Sequence, residues 1–150
     1  MVQALQVTGS YIAYSENRDG MLYTPEMSRR ARVVELWAAL KFLGKEGLDE
    51  LVFGLHQRAV QIGHELEREG FQILNDIVFN QVLVACDNDD ITKQTLHHIQ
   101  TSGECWAGSA TWSTQEAIRI SVCSWATTEK DIMRSVRTFV AARQLALSEI

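Results

Sequence analysis

The 150-residue chain has the length of one ordinary domain, enough to bury about two thirds of its unfolded surface. Its 46% hydrophobic and 22% charged residues are those of a soluble globular protein. A net charge of −5 argues against a nucleic-acid partner, and no apolar run approaches the roughly 20 residues needed to span a bilayer.

The N-terminus, Met-Val-Gln-Ala-Leu-Gln, has no basic segment or long apolar stretch of a secretory signal. Val7–Tyr14 reads as an extended segment and Ser15–Gly20 as a polar loop. Thr24-Pro25-Glu26 is a helix entry, with Ser28 a competing cap. From Arg29 to Leu43, Val33, Leu36, Trp37, Leu40 and Phe42 or Leu43 follow helical spacing, and Gly44 is expected to stop the helix. A second helix is expected from Gly47 to Glu69, striped by Leu48, Leu51, Val52, Leu55, Ala59, Ile62 and Leu66 and ended by Gly70.

Short strands follow at Phe71–Leu74 and Val82–Cys86. The acidic turn Asp87-Asn88-Asp89-Asp90 caps a helix over Ile91–Thr101. Cys105–Trp112 reads as a strand, Ser113-Thr114-Gln115 as a turn, and Ala117–Cys123 as a strand of period two. Ile118, Ile120 and Val122 share one face of it; Arg119, Ser121 and Cys123 share the other. Thr127 or Thr128 caps a last helix, Glu129 to about Leu147, which buries Ile132, Val136, Phe139, Val140 and the stem of Arg143. The order α-α-β-β-α-β-β-α, with short strands, fits an antiparallel sheet with helices on one face rather than a doubly wound parallel sheet.

The chemistry-bearing residues are few. His56, His64, His97 and His98 lack the spacing of a helical ligand pair, so no metal site is expected. Cys86, Cys105 and Cys123 all fall in predicted strands; an odd count without paired spacing reads as reduced core thiols and points to the cytoplasm. Arg29, Arg30 and Arg32 place cations in a first helical turn, against the helix dipole, which suits either a solvated helix start or an interface with Trp37. Arg119, in mid-strand among short neighbours, calls for an anion or a polar partner, since an unpaired buried charge is very costly.

Several segments together resemble one family. Tyr23-Thr-Pro-Glu-Met-Ser-Arg-Arg-Ala-Arg32, Glu35–Leu40, Leu43–Gly47, Asn80–Val84, Cys105-Trp106 with Gly108 and Trp112, and Ile118–Val122 through Trp125–Thr128 are similar, in this order, to the group II pyridoxal-phosphate-dependent amino-acid decarboxylases. The resemblance covers nearly the whole chain and matches only the C-terminal part of such an enzyme. It implies an α/β fold of the α+β type: the small C-terminal domain of a fold-type-I enzyme, an antiparallel four-stranded sheet covered by helices and preceded by a long helix pair. Residues 1–27 would be a remnant of the large-domain segment and its loop, and 28–150 the small domain with its leading helices.

By the same resemblance, Arg119 matches the arginine that contacts the substrate carboxylate, and Tyr14 or Tyr23 would belong to the active-site loop. The family's aldimine lysine stands in an Asp-x-His-Lys setting, and Lys41, Lys45, Lys93 and Lys130 have no such context. The resemblance therefore implies pyridoxal phosphate in the parent family but none bound by this chain alone, and no catalytic residue here. Its expected partners are a large cofactor-binding domain and further copies of itself. The alternative is a non-catalytic interaction module that retains the fold.

Overall fold

The computed structural model describes residues 20–23 and 30–149. The expectations for Val7–Tyr14, for Thr24-Pro25-Glu26 and for Ser28 lie outside them, as do Tyr14 and Arg29. The chain divides into two compact units, Met1–Phe42 and Leu43–Ile150.

In the first unit, Gly20–Tyr23 forms a short 3-10 helix, and Val33 begins helix α1, Val33–Arg68. Gly44 does interrupt the helical geometry, at φ 64° and ψ −167°, a conformation that favours glycine. Helix resumes at once, without the gap expected before Gly47. The apolar stripe before this point is not a buried face: Val33, Leu36, Trp37 and Phe42 are all more than half exposed. In the second unit α1 buries Leu55, Ala59, Ile62, Gly63 and Leu66. It closes with Gly70 at φ 85°, the Phe71 N–H donating to Leu66 O and the Gly70 N–H to Glu67 O. These paired bonds satisfy the last carbonyls of the helix.

Strands β1 (Gln72–Ile73), β2 (Gln81–Ala85), β3 (Gly108–Trp112) and β4 (Gln115–Ser121) form one antiparallel sheet in the order β1-β2-β4-β3. Between β2 and β3 runs α2, Asp89–Ser102, capped by Asn88, whose side chain accepts from the Ile91 N–H at 2.9 Å. After β4 comes α3, Glu129–Ser148, opened by Thr128 and Asp131 in a reciprocal capping box.

Val82 and Val84 of β2 pair with Ile120 and Ile118 of β4, so one sheet face is apolar and continuous. That face joins Leu55, Ala59, Ile62 and Leu66 of α1, Ile99 of α2, and Ile132, Val136 and Phe139 of α3 in one core. Phe71 and Phe139 meet edge to face at 6.1 Å. The helices thus lie on one face, as expected, and the other face carries Arg119.

The cysteines depart from expectation. All three are free, but Cys86, Cys105 and Cys123 sit just outside the strands, and only Cys86 is buried. Cys123 lies two residues past the end of β4 and is exposed. Cys86 is walled in by α2: its N–H donates to Thr92 Oγ1 at 3.0 Å and its thiol to Thr95 Oγ1 at 3.5 Å. Burial raises its pKa.

Candidate functional site

Ile118 and Ile120 fix β4 by filling the core, and the two-residue side-chain period then turns Arg119 outward. Register places Arg119 between two neighbours on the same face, Leu83 on β2 and Gly108 on β3. Leu83 is half-buried. Gly108 has no side chain, and the guanidinium passes over it: a Cβ built there would sit 3.6 Å from Arg119 Nη2 and 3.9 Å from Nε.

Arg119 is exposed, and among the described residues nothing forms an ion pair or hydrogen bond with it. On an exposed sheet face, water solvates the guanidinium and removes the cost of an unpaired charge. The result is a planar cation with its donor edge free, the geometry that receives a carboxylate through two parallel hydrogen bonds.

Beyond the end of β4 lies an open cleft of about 330 Å³, lined by Ile62, Trp106, Cys123, Ser124, Thr127 and Asp131 among others. Asn80 ties down the segment Val122-Cys123 that lines it. Its side-chain amide donates to Val122 O at 3.0 Å and contacts Cys123 Sγ at 3.6 Å, while its own carbonyl accepts from the Val122 N–H at 2.9 Å. The Asp131 carboxylate accepts from the Thr128 hydroxyl at 2.6 Å and the Thr128 N–H at 2.8 Å, which holds its pKa below the ordinary value. It is committed to capping α3. The neighbouring Cys105 thiol is pushed up by burial, against a hydrogen bond from Ser135. No histidine lines this cleft, so none of its side chains is paired with an imidazole base.

Arg30 pairs with Glu35 one turn into α1, Arg32 is exposed, and Trp37 is 60% exposed. Tyr23 is exposed at the end of its 3-10 helix. His56 Nδ1 lies 3.0 Å from Phe79 O, and His98 Nε2 is 3.2 Å from Glu149. Among the described residues no three His, Cys, Asp or Glu side chains converge as a metal-binding group, and no helix is long and apolar enough to cross a membrane. Gly108 and Asn80 belong to motifs legible in the sequence, but their roles beside Arg119 and Cys123 were not. A glycine inside a strand pattern is the one signal that could have marked Gly108.

Four lysines are the only amines available for a Schiff base with pyridoxal phosphate apart from the chain's N-terminus. Lys41 and Lys45 are exposed on α1, Lys130 is exposed in the first turn of α3, and Lys93 on α2 pairs with Glu116 at 3.3 Å on the helix-covered side of the sheet. None stands on the sheet beside Arg119. Arg119 is thus an unpaired cation on its sheet face, and no lysine among the described residues stands on the sheet beside it to hold a pyridoxal ring there.

No protein-family model matches the chain. Among solved structures, TDC from Oryza sativa with PLP and tryptamine superposes with a TM-score of 0.78 at 14% identity, covering 96% of this chain and 33% of the enzyme. Tryptophan decarboxylase from Catharanthus roseus in complex with L-tryptophan gives 0.75 at 16% identity, covering 97% and 33%. The glutamate decarboxylase domain of a diaminobutyrate-pyruvate transaminase and L-2,4-diaminobutyrate decarboxylase from Vibrio parahaemolyticus gives 0.69 at 13% identity, covering 83% and 28%. The chain therefore has the fold of a portion of the pyridoxal-phosphate decarboxylases that its sequence resembles, and it spans about a third of their length.

Proposed function

We propose that this chain acts as the C-terminal small domain of a pyridoxal-phosphate-dependent amino-acid decarboxylase. Residues 28–150 form that domain with its leading helices, and 1–27 correspond to the end of the large domain and its loop. Arg119 receives the carboxylate of the amino-acid substrate. When bound, pyridoxal phosphate supplies the electron sink for loss of that carboxylate, and the lysine that anchors it comes from polypeptide outside this chain.

The observation that carries this reading is Arg119 itself: exposed on a rigid central strand, flanked by Leu83 and Gly108, with its donor edge uncommitted among the described residues. The chain's own contribution is to bind and orient. A guanidinium fixed by a strand presents its fork in one direction, which pre-pays part of the ordering that substrate binding demands. Tyr23, with Tyr14 outside the described residues, supplies the loop position. Arg30, Arg32 and Trp37, with Arg29, form the contact with the large domain or a second copy. A cytoplasmic homo-oligomer fits this assignment.

Addition of pyridoxal phosphate followed by borohydride tests it. Scattered, substoichiometric adducts on exposed lysines are expected. A stoichiometric reduced adduct on a single lysine, with absorbance at about 400–430 nm before reduction, refutes the claim that the anchoring lysine lies elsewhere.

A second reading has its own support. Val33, Leu36, Trp37 and Phe42 bare apolar surface on α1, which is the signature of a docking helix and would serve an interaction module without chemistry. The two part on one result: decarboxylation restored when this chain is combined with a lysine-bearing large domain supports the first, and binding without turnover supports the second.

A further inference from the structure

We propose that Gly108 is a positioning residue for Arg119, leaving vacant the space through which the guanidinium lies across β3. Its purpose rests on the carboxylate-binding reading of Arg119; its geometry does not.

The glycine has no backbone reason to be there. The glycines at positive φ are Gly44, Gly70 and Gly103, so Gly108 adopts a conformation open to any residue. No bulge demands it either, because the β3–β4 register runs unbroken from Gly108↔Arg119 to Trp112↔Gln115. Glycine weakens a strand by its extra unfolded-state entropy and its missing side-chain contacts. What the position does have is a neighbour lying over it, the guanidinium of Arg119.

Directly opposed residues in an antiparallel pair have Cβ atoms about 4.5–5.5 Å apart, so a side chain at 108 would stand beside that of Arg119. A Cβ there meets Nη2 at 3.6 Å and Nε at 3.9 Å, ordinary contact distances. Alanine therefore fits under the guanidinium. A β-branched residue places its methyl groups where the guanidinium lies and turns it off the strand. Leu83 is the register partner of Arg119 on the opposite side.

The test uses nuclear magnetic resonance of the Arg119 side chain in the intact chain, with sodium acetate as the carboxylate probe. The wild type is expected to show a cross-relaxation peak between Gly108 Hα and Arg119 Hε. It should also show an Arg119 Nε–H more ordered than that of Arg137, which is exposed on α3. In Gly108→Val that order falls to the Arg137 level and the acetate-induced shift of Arg119 is lost, while Gly108→Ala keeps both. A folded Gly108→Val with wild-type order at Arg119 overturns the proposal. If that variant does not fold, the wild-type Gly108–Arg119 peak decides alone: its presence supports the proposal and its absence overturns it. Acetate that fails to shift Arg119 in the wild type, with the peak present, refutes the carboxylate reading and leaves the positioning role standing.

Discussion

Replacing Arg143 by alanine should destabilise the Leu43–Ile150 unit more than any other single surface charge, because one guanidinium joins three segments. Its Nε and Nη2 donate to Asp87 Oδ2 at 3.1 and 2.8 Å, its Nη1 donates to Glu69 O at 3.2 Å, and its carbon lies 5.1 Å from the Phe71 ring centroid. The segments tied are the end of α1, the exit of β2 and the C-terminal half of α3. The Arg143 side chain is only 19% exposed, while that of Asp87 is 50% exposed. The ion pair alone is therefore worth about 0.5–1 kcal/mol after screening. The bond to the Glu69 carbonyl contributes about 1–1.5 kcal/mol and the ring contact about 0.5–1 kcal/mol. These overlap, so a total of about 2 kcal/mol is expected, a drop of about 4–8 °C in melting temperature for a chain of this size.

The pH dependence gives a second handle. Asp87 has its pKa lowered, chiefly by its hydrogen bond from Arg143. Its contribution is present above the ordinary carboxylate pKa of about 3.9 and is lost as pH falls through the depressed folded value. Urea unfolding followed by circular dichroism should therefore show a gap between wild type and Arg143→Ala that is full near neutrality and narrows below about pH 4. It should not close, because the bond to Glu69 O and the contact with Phe71 do not titrate. A neutral-pH gap under about 0.5 kcal/mol, or one that stays constant into acid, would refute the reasoning.

Two further outcomes follow from local geometry. Ser113 turns the β3–β4 hairpin at φ 58°, so Ser113→Gly should stabilise by about 0.5–1 kcal/mol and Ser113→Val should destabilise, both read from urea midpoints. With a thiol reagent at neutral pH, exposed Cys123 should react first, half-buried Cys105 slowly and buried Cys86 only on unfolding; rapid labelling of Cys86 in the folded chain would contradict its raised pKa and burial.

Much of this architecture could be read from the residues. Period two at Ile118, Ile120 and Val122 gave the central strand and its two faces, and Asn88, Thr128 and Gly70 sit where a helix must start or stop. What could not be read depends on register between distant segments. Leu83 and Gly108 flank Arg119 only because β2 and β3 both pair with β4. Arg143 announced its buried stem by helical spacing, but not that its fork would find Asp87 and the Glu69 carbonyl. Exposure is not legible in the same way: a helical or alternating pattern says which residues share a face, not whether anything covers it. Val33, Leu36 and Trp37 share a face and are bare, and Arg119 is exposed on its strand.

The seat of Arg119 is assembled in two steps of different kind. Its Gly108 flank lies within a hairpin closed by Ser113-Thr114, a local event that takes on the order of microseconds. Its Leu83 flank requires β2 to find β4 across the intervening α2, which carries a larger loop-closure cost and comes later in folding. On partial unfolding the order reverses. Loosening of β2 would strip Leu83 from the arginine while the glycine side persists, so the site would lose its lateral wall before it loses its floor.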